Sequence, residues 1–186
     1  TPLYSSAASD VYKRQVSSRG ADGSVDASPR GGDPGFVRVP DAHTMLIPDA
    51  TGNNRLDTLE NLVATGAIGL LFMVPGVDET LRINGTARVS TDPALLERAA
   101  ERAKPPRTVI VVTVREAYLH CAKALMRSKL WDPSRTLPRS TLPTMGEMLK
   151  DQIGDDAPAE TQAQMLARYA ACLLYTSPSP RDRQKS

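Results

Sequence analysis

Residues 108–114 (TVIVVTV) restrict the fold of this chain more than any other stretch, because every position carries a β-branched side chain. Such side chains lose rotamer freedom in a helix and pack well on a pleated surface, so this run predicts a strand. Residues 67–74 form a continuous apolar run of strand length and predict a buried strand. Residues 81–90 alternate through Leu81, Ile83, Ala87 and Val89, interrupted by Asn84-Gly85. That dipeptide suits a hairpin turn, and the flanks equally suit one strand bent by a bulge. Phe36, Val37 and Val39 pair naturally with residues 44–47 as a hairpin turning at Asp41 and Ala42, and Val25 to Ala27 make a further short strand. The Gly- and Pro-containing stretches 17–24, 28–35, 49–54 and 131–143 read as loops.

Between these strands lie helical patterns. Leu56, Leu59, Leu62 and Val63 follow Asn54, a candidate N-cap, and end at Gly66, a candidate C-cap. Residues 92–102, 116–128, 145–153 and 160–171 have helical spacing as well. About six strands mostly in hairpin order predict a mainly β, α+β fold, an antiparallel barrel or sheet with peripheral helices, and not alternating βαβ units.

The two ends of the chain follow a different logic. Residues 5–15 read SSAASDVYKRQ and residues 172–182 read CLLYTSPSPRD. One choice of codons for residues 10–14 and their flanking bases, read on the opposite strand, encodes residues 172–177. The ends are thus one inverted repeat in DNA while sharing nothing as protein, as translated sequencing-library adapters would. Residues 1–15 and 172–186 are therefore expected to be adapter-derived, with a metagenomic fragment between them, and scars of this kind are set aside before fold reasoning. The expected organisation is a barrel domain at 16–153 followed by a C-terminal helix at 154–171.

Trimming alters the electrostatics. The whole chain has 23 Lys+Arg against 21 Asp+Glu, but the span between the ends has 18 against 19, a net charge of −1. No nucleic-acid partner is implied. Cys121 is then the single cysteine, which predicts no disulfide framework and suits a reducing cytoplasmic setting. No apolar run approaches the roughly 20 residues that span a bilayer, so no membrane partner is expected.

Three clusters are able to carry chemistry. Ser28-Pro29-Arg30-Gly31-Gly32 places a guanidinium beside glycines at a strand end, a combination that suits phosphate and equally a tight turn with a solvated Arg. Gly52-Asn53-Asn54-Arg55 opens a helix, where free amides favour an anion, although an ordinary cap reads the same way. The hairpin between them can bring both onto one phosphate-bearing ligand. Lys123 and Arg127 share a helix face, with Trp131 beyond them able to cover an aromatic ring; a solvated basic face and a core Trp fit those residues too. His120 beside Cys121 is not a metal pair, no metal site is expected, and no triad or Walker loop is present.

Taken as a set, DASPRGGDPGFVRV (26–39), LIPDATGNNRLDTLENL (46–62), GLLFMVPGVDETLRINGTARVSTDP (69–93) and YLHCAKALMRSKLWDP (118–133) resemble the pyridoxamine 5′-phosphate oxidase-like family of FMN-binding split barrels. More narrowly, they resemble an uncharacterised bacterial branch of FMN-dependent proteins. The resemblance implies a six-stranded antiparallel split β-barrel and a homodimer with FMN at the interface. It further implies an FMN-dependent oxidoreductase acting on a small-molecule substrate. By motif, Ser28, Arg30, Asn53, Asn54 and Arg55 would hold the FMN phosphate, Ile47 and Pro48 would line the flavin, and Lys123, Arg127 and Trp131 would complete the pocket. The family's N-terminal helix and long first strand are replaced by adapter before Val16, which implies an N-terminally truncated barrel with an exposed edge. The C-terminal segment of the true oxidases is not recognisable, so pyridoxamine phosphate is not implied as the substrate, and no catalytic residue is assigned. Two other readings remain: a flavin-binding carrier without turnover, and a split barrel using a deazaflavin or haem.

Overall fold

The computed structural model describes residues 13–32, 35–49, 55–100, 106–154 and 158–176, with side chains at 15–170 of these. The chain divides into two compact units, Thr1–Arg135 and Thr136–Ser186. The first unit is built on one antiparallel sheet. Its strands are β1 (Lys13–Arg19), β2 (Val25–Gly31), β3 (Arg38–Asp41), β4 (Thr44–Asp49), β5 (Ala67–Met73), β6 (Thr80–Ser90) and β7 (Thr108–His120). They lie in the order β2-β1-β5-β6-β7-β4-β3. Three helices accompany the sheet: α1 (Asp57–Thr65), α2 (Pro93–Arg98) and α3 (Lys123–Ser128).

The sheet has seven strands where the sequence predicts six, and its ladder does not close. It is nevertheless rolled. Val16 of β1, Met45 and Ile47 of β4, Leu70 and Phe72 of β5, Ile83 of β6 and Ile110 and Val112 of β7 belong to one buried cluster. Strands from both ends of the sheet thus share one interior, the arrangement expected of a split barrel. A smaller cluster on the other face of β4 and β7, made by Leu46, Val109 and Val111, is covered by Leu95 and Leu96 of α2. This explains why residues 109–112 are apolar without alternation: both faces are buried.

Helix α1 plugs the barrel. Its Leu62 enters the inner cluster. Thr58 Oγ1 donates to Asp26 Oδ2 at 2.9 Å, Asn61 Nδ2 to Ser18 Oγ at 3.1 Å, and Thr65 Oγ1 to the Arg19 carbonyl at 2.7 Å. The helix ends at Gly66 in the left-handed region (φ 67°), as the sequence predicts. The residue before its first turn is Leu56, which makes no side-chain cap; Asn54, the predicted cap, lies outside the described residues. Asp92 caps α2, its side chain accepting from the Ala94 amide.

Several local expectations are corrected. Residues 17–19, read as loop, belong to β1, and the turn is confined to residues 20–24. β1 also takes in Lys13, Arg14 and Gln15 from the end read as adapter, pairing them with β2 and β5. Residues 28–31, read as a Gly/Pro loop, extend β2; Pro29 is tolerated there because β2 is an edge strand with only one ladder to satisfy. Asn84-Gly85 is a bulge and not a hairpin: Asn84 pairs with Glu116 and Gly85 with Val114, leaving Arg115 unopposed. Residues 116–120, read as helix, continue β7 because β6 is long enough to pair with them as far as Thr80 and His120. Only Lys123–Ser128 is helical.

In the second unit, α4 (Met145–Ile153) starts with a capping box between Thr144 and Glu147, and α5 (Gln162–Thr176) follows. The backbone amide of Thr144 holds the Glu147 carboxyl below its ordinary range. Gly146 lies so close to Glu160 that a Cβ would fall 2.3 Å from its carbonyl oxygen, and Glu160 is ion-paired with Arg168 at 2.8 Å. Among the described residues, no helix is long and apolar enough to cross a membrane.

The bulge is sterically demanding. A Cβ on Gly85 would sit 2.2 Å from the Thr113 carbonyl oxygen. Gly85→Ala should therefore destabilise the fold by about 2 kcal/mol, measured from the midpoint of chemical denaturation. An unchanged midpoint would mean that the β6–β7 ladder absorbs a side chain there. Ile47→Ala, in the inner cluster, should cost about 2–5 kcal/mol in the same assay.

Candidate functional site

The inner face of β2 is polar. Asp26, Ser28 and Arg30 alternate as its half-buried positions, while Val25, Ala27, Pro29 and Gly31 face outward. These three residues complete the interior on the side where the ladder is open. Asp26 is held by Thr58 of α1. Arg30 Nη1 donates to Asp49 Oδ1, with the two side chains 18% and 20% exposed. This ion pair joins β2, at one edge of the sheet, to the last residue of β4, one strand in from the other edge. In a flat sheet those strands would be five spacings apart, about 24 Å, so the pair spans the open seam of the roll.

The pair leaves two polar atoms stranded. Among the described residues, Arg30 Nε is buried without a hydrogen-bond partner, and so is Thr108 Oγ1. Thr108 is directly opposite Asp49 in the β4–β7 ladder. Directly opposed residues of an antiparallel pair point to the same face with Cβ atoms about 5 Å apart, so Thr108 and Asp49 share the inner face. Burying a polar group without a partner costs about 1–3 kcal/mol. Two such atoms, one on the cation bonded to Asp49 and one on the residue opposite it, mark a place suited to a polar ligand.

Of the first two predicted clusters, only part falls among the described residues. Arg30 meets Asp49, and residues 50–54, with Asn53 and Asn54 among them, directly follow Asp49 but lie outside the described residues. On the far side of that segment Arg55 leads into α1, where its Nε donates to Asp57 Oδ2 at 3.0 Å with the guanidinium 76% exposed. Ser28 stands between Asp26 and Arg30, paired with Val16. Ile47 has no exposed surface and packs in the inner cluster, while Pro48 is buried opposite Val109.

The third cluster stands apart from these bonds. Lys123 and Arg127 are exposed on α3 and form no ion pair among the described residues. Trp131 Nε1 donates to the Val77 carbonyl at 2.9 Å, fixing it on the turn between β5 and β6. Next to it, the hydroxyl and amide of Ser134 hold the Asp132 carboxyl below its ordinary value. Gly31, Lys13, Met73, Thr80 and His120 form one continuous cross-strand row. The end of β2 carrying Arg30 and the end of β7 leading to α3 are therefore at the same end of the sheet, four strand spacings or about 19 Å apart along it.

Sequence reasoning missed Asp26, Asp49, Thr58 and Thr108. A signal was present for the first: Asp26, Ser28 and Arg30 have the period of two that a strand face requires, masked by Pro29 and the glycines. None was present for Asp49 and Thr108, whose roles come from register and roll. A shallow cavity of about 400 Å³ opens elsewhere, lined by Ser17, Gly69, Asn84, Gly85, Arg115 and Glu116 among others. None of the buried unpartnered atoms lines it. Among the described residues, no group of three or more His, Cys, Asp or Glu side chains is placed to hold a metal ion.

The contact between Thr58 and Asp26 ties the α1 plug to the polar strand. Thr58→Val should cost about 1 kcal/mol of stability, and hydrogen exchange should show faster opening of β2 than of β6. Uniform protection in both strands would remove Asp26 from the forces holding β2.

A model of the family described as pyridoxamine 5′-phosphate oxidase matches residues 15–121. Among solved structures, HupZ from Group A Streptococcus aligns at 20% identity over 64% of this chain and 98% of its own, with a TM-score of 0.52. A second HupZ structure aligns at 20% identity, covering 62% and 89%, with a TM-score of 0.50. A protein of Lactobacillus delbrueckii bearing the pyridoxamine 5′-phosphate oxidase name aligns at 16% identity over 63% and 93%, with a TM-score of 0.46. At these identities the likeness concerns the fold alone. No curated protein sequence matches significantly.

Proposed function

Because the chain belongs to the pyridoxamine 5′-phosphate oxidase family, we propose that it binds FMN by the phosphate at the mouth of the barrel and serves as an FMN-dependent oxidoreductase on a small-molecule substrate. One observation carries the reading: Arg30, on the inner face of β2, has a buried Nε without a partner, next to the strand end that leads into the Asn53-Asn54-Arg55 segment. A guanidinium presents a planar fork of donors that matches phosphate oxygens. Its single bond to Asp49 leaves part of that fork unused, so the residues present fit a phosphate monoester.

In this reading Arg30 and Arg55 hold the phosphate with Asn53, Asn54 and Ser28, and the strand end at Ile47 and Pro48 borders the ring. Bound FMN supplies hydride and one-electron chemistry, while the protein supplies binding, orientation and electrostatics. In this reading Lys123, Arg127 and Trp131 complete the pocket from the partner subunit of a homodimer.

Purified protein titrated with FMN should show the perturbed absorbance of bound oxidised flavin. Arg30→Ala and Arg55→Ala should weaken FMN by about tenfold or more, as expected for a charge-assisted contact, while leaving riboflavin, which lacks the phosphate, nearly unaffected. Equal losses for both ligands would contradict the phosphate role, and absence of any flavin binding would end the reading. FMN that binds but is reduced neither by nicotinamide nucleotides nor by candidate substrates would make the protein a carrier.

A further inference from the structure

The seam ion pair has an unusual composition for a purely structural contact. A carboxylate that served only to neutralise Arg30 would best take two parallel bonds from the guanidinium fork. Asp49 takes one, from Nη1, and Nε is left buried and unpartnered. Thr108, directly opposite Asp49 in the β4–β7 ladder, has an Oγ1 that is also buried and without a partner among the described residues. Arg30 Nε is a donor, and a hydroxyl can donate as well. Neither donor is satisfied by Asp49. Asp26, the other carboxylate on this face, is bonded to Thr58 Oγ1, and Asp57 is bonded to Arg55. Asp49 is thus the carboxylate in direct contact with Arg30.

We infer that Asp49 is an internal competitor for the phosphate of the ligand: it takes Arg30 in the free protein and yields Arg30, together with Thr108, to a phosphate monoester on binding. The inference rests on the proposed phosphate site and adds to it a residue that sets its strength and a further ligand, Thr108, which no motif identifies. A dianionic phosphate arriving at Arg30 meets a like charge in Asp49, and the two cannot share the guanidinium without repulsion. Affinity is therefore the difference between two anions on one cation. Three phosphate oxygens satisfy both stranded donors where one carboxylate satisfies neither. No covalent step is involved.

The test uses the full chain, with inorganic phosphate, FMN and riboflavin as separate probes in calorimetric titrations. Asp49→Asn keeps the shape and an acceptor for Arg30 while removing the competing charge. It should bind inorganic phosphate and FMN roughly threefold to tenfold tighter than the parent, with riboflavin unchanged. Thr108→Val, which keeps the shape and removes the hydroxyl, should bind both phosphate probes more weakly with riboflavin unchanged. Glu116→Gln, a charge change on the outward face, should alter none of the three. Unchanged or weaker phosphate binding in Asp49→Asn overturns the competition. If that variant does not fold, by circular dichroism, equal phosphate affinity in Thr108→Val and the parent overturns it instead. Failure of the flavin reading looks different: neither flavin binds, yet inorganic phosphate still responds to both substitutions. FMN bound by the parent, with phosphate affinity unmoved in both variants, ends the competition and leaves the flavin reading standing.

Discussion

Val16, one strand in from one edge of the sheet, and Ile47, one strand in from the other, have no exposed surface and lie in the same apolar cluster. In a flat sheet their strands would be four spacings apart, about 19 Å. Only rolling the sheet lets both leave water together, and burying a side chain of that size is worth about 1.5–3 kcal/mol. A bulge of the kind opposite Gly85, which leaves Arg115 unopposed, increases local twist and favours such a roll, and the close approach of Gly85 to Thr113 is tolerated only without a side chain. The edges of the sheet, the plug of α1 and the mouth of the barrel all take their positions from this shared interior.

The polar site is a by-product of how the roll is completed. The strand that fills the open side, β2, contributes Asp26, Ser28 and Arg30 to the interior where the other strands contribute mostly apolar residues. A barrel closed by Val or Ile there would be simpler to stabilise, since half-buried charges have to be paired at a desolvation cost. Instead Arg30 reaches Asp49 across the seam, and a donor on Arg30 and one on Thr108 are left unmatched. Strain of this kind at the mouth of a fold is where binding energy is most readily gained, because a ligand satisfies groups that folding left unsatisfied. The shallow groove on the outward face has no comparable unmet demand.

Local patterns account for much of what is seen. The β-branched run within 108–114, the apolar run within 67–73 and the Gly66 stop of α1 stand where the residues themselves predict, and the β3–β4 hairpin forms with its first strand at Arg38–Asp41, leaving out Phe36 and Val37. The failures have one cause. Tyr118, Cys121, Ala122 and Leu125 have helical spacing, but residues up to His120 are strand because β6 offers eleven residues to pair with; a ladder partner outweighs a weak intrinsic preference. Pro29 and the glycines around Arg30 suggest a loop, yet an edge strand accepts them. At the site, Arg30 was legible from its residue type and neighbours, while Asp49 and Thr108 were ordinary residues until register set them side by side.

The sequence by itself determined which segments favour extended or helical backbone, the family, and the presence of phosphate-suited cations at Arg30 and Arg55. These depend on side-chain shape and charge within a few positions. Only the tertiary structure decided that the sheet has seven strands and rolls without closing, that β2 turns a polar face inward, and that Arg30 spends its charge on Asp49 beside an unpartnered Thr108. Those outcomes join residues 19 to 59 positions apart, and contacts at such separations are set by which surfaces can leave water together.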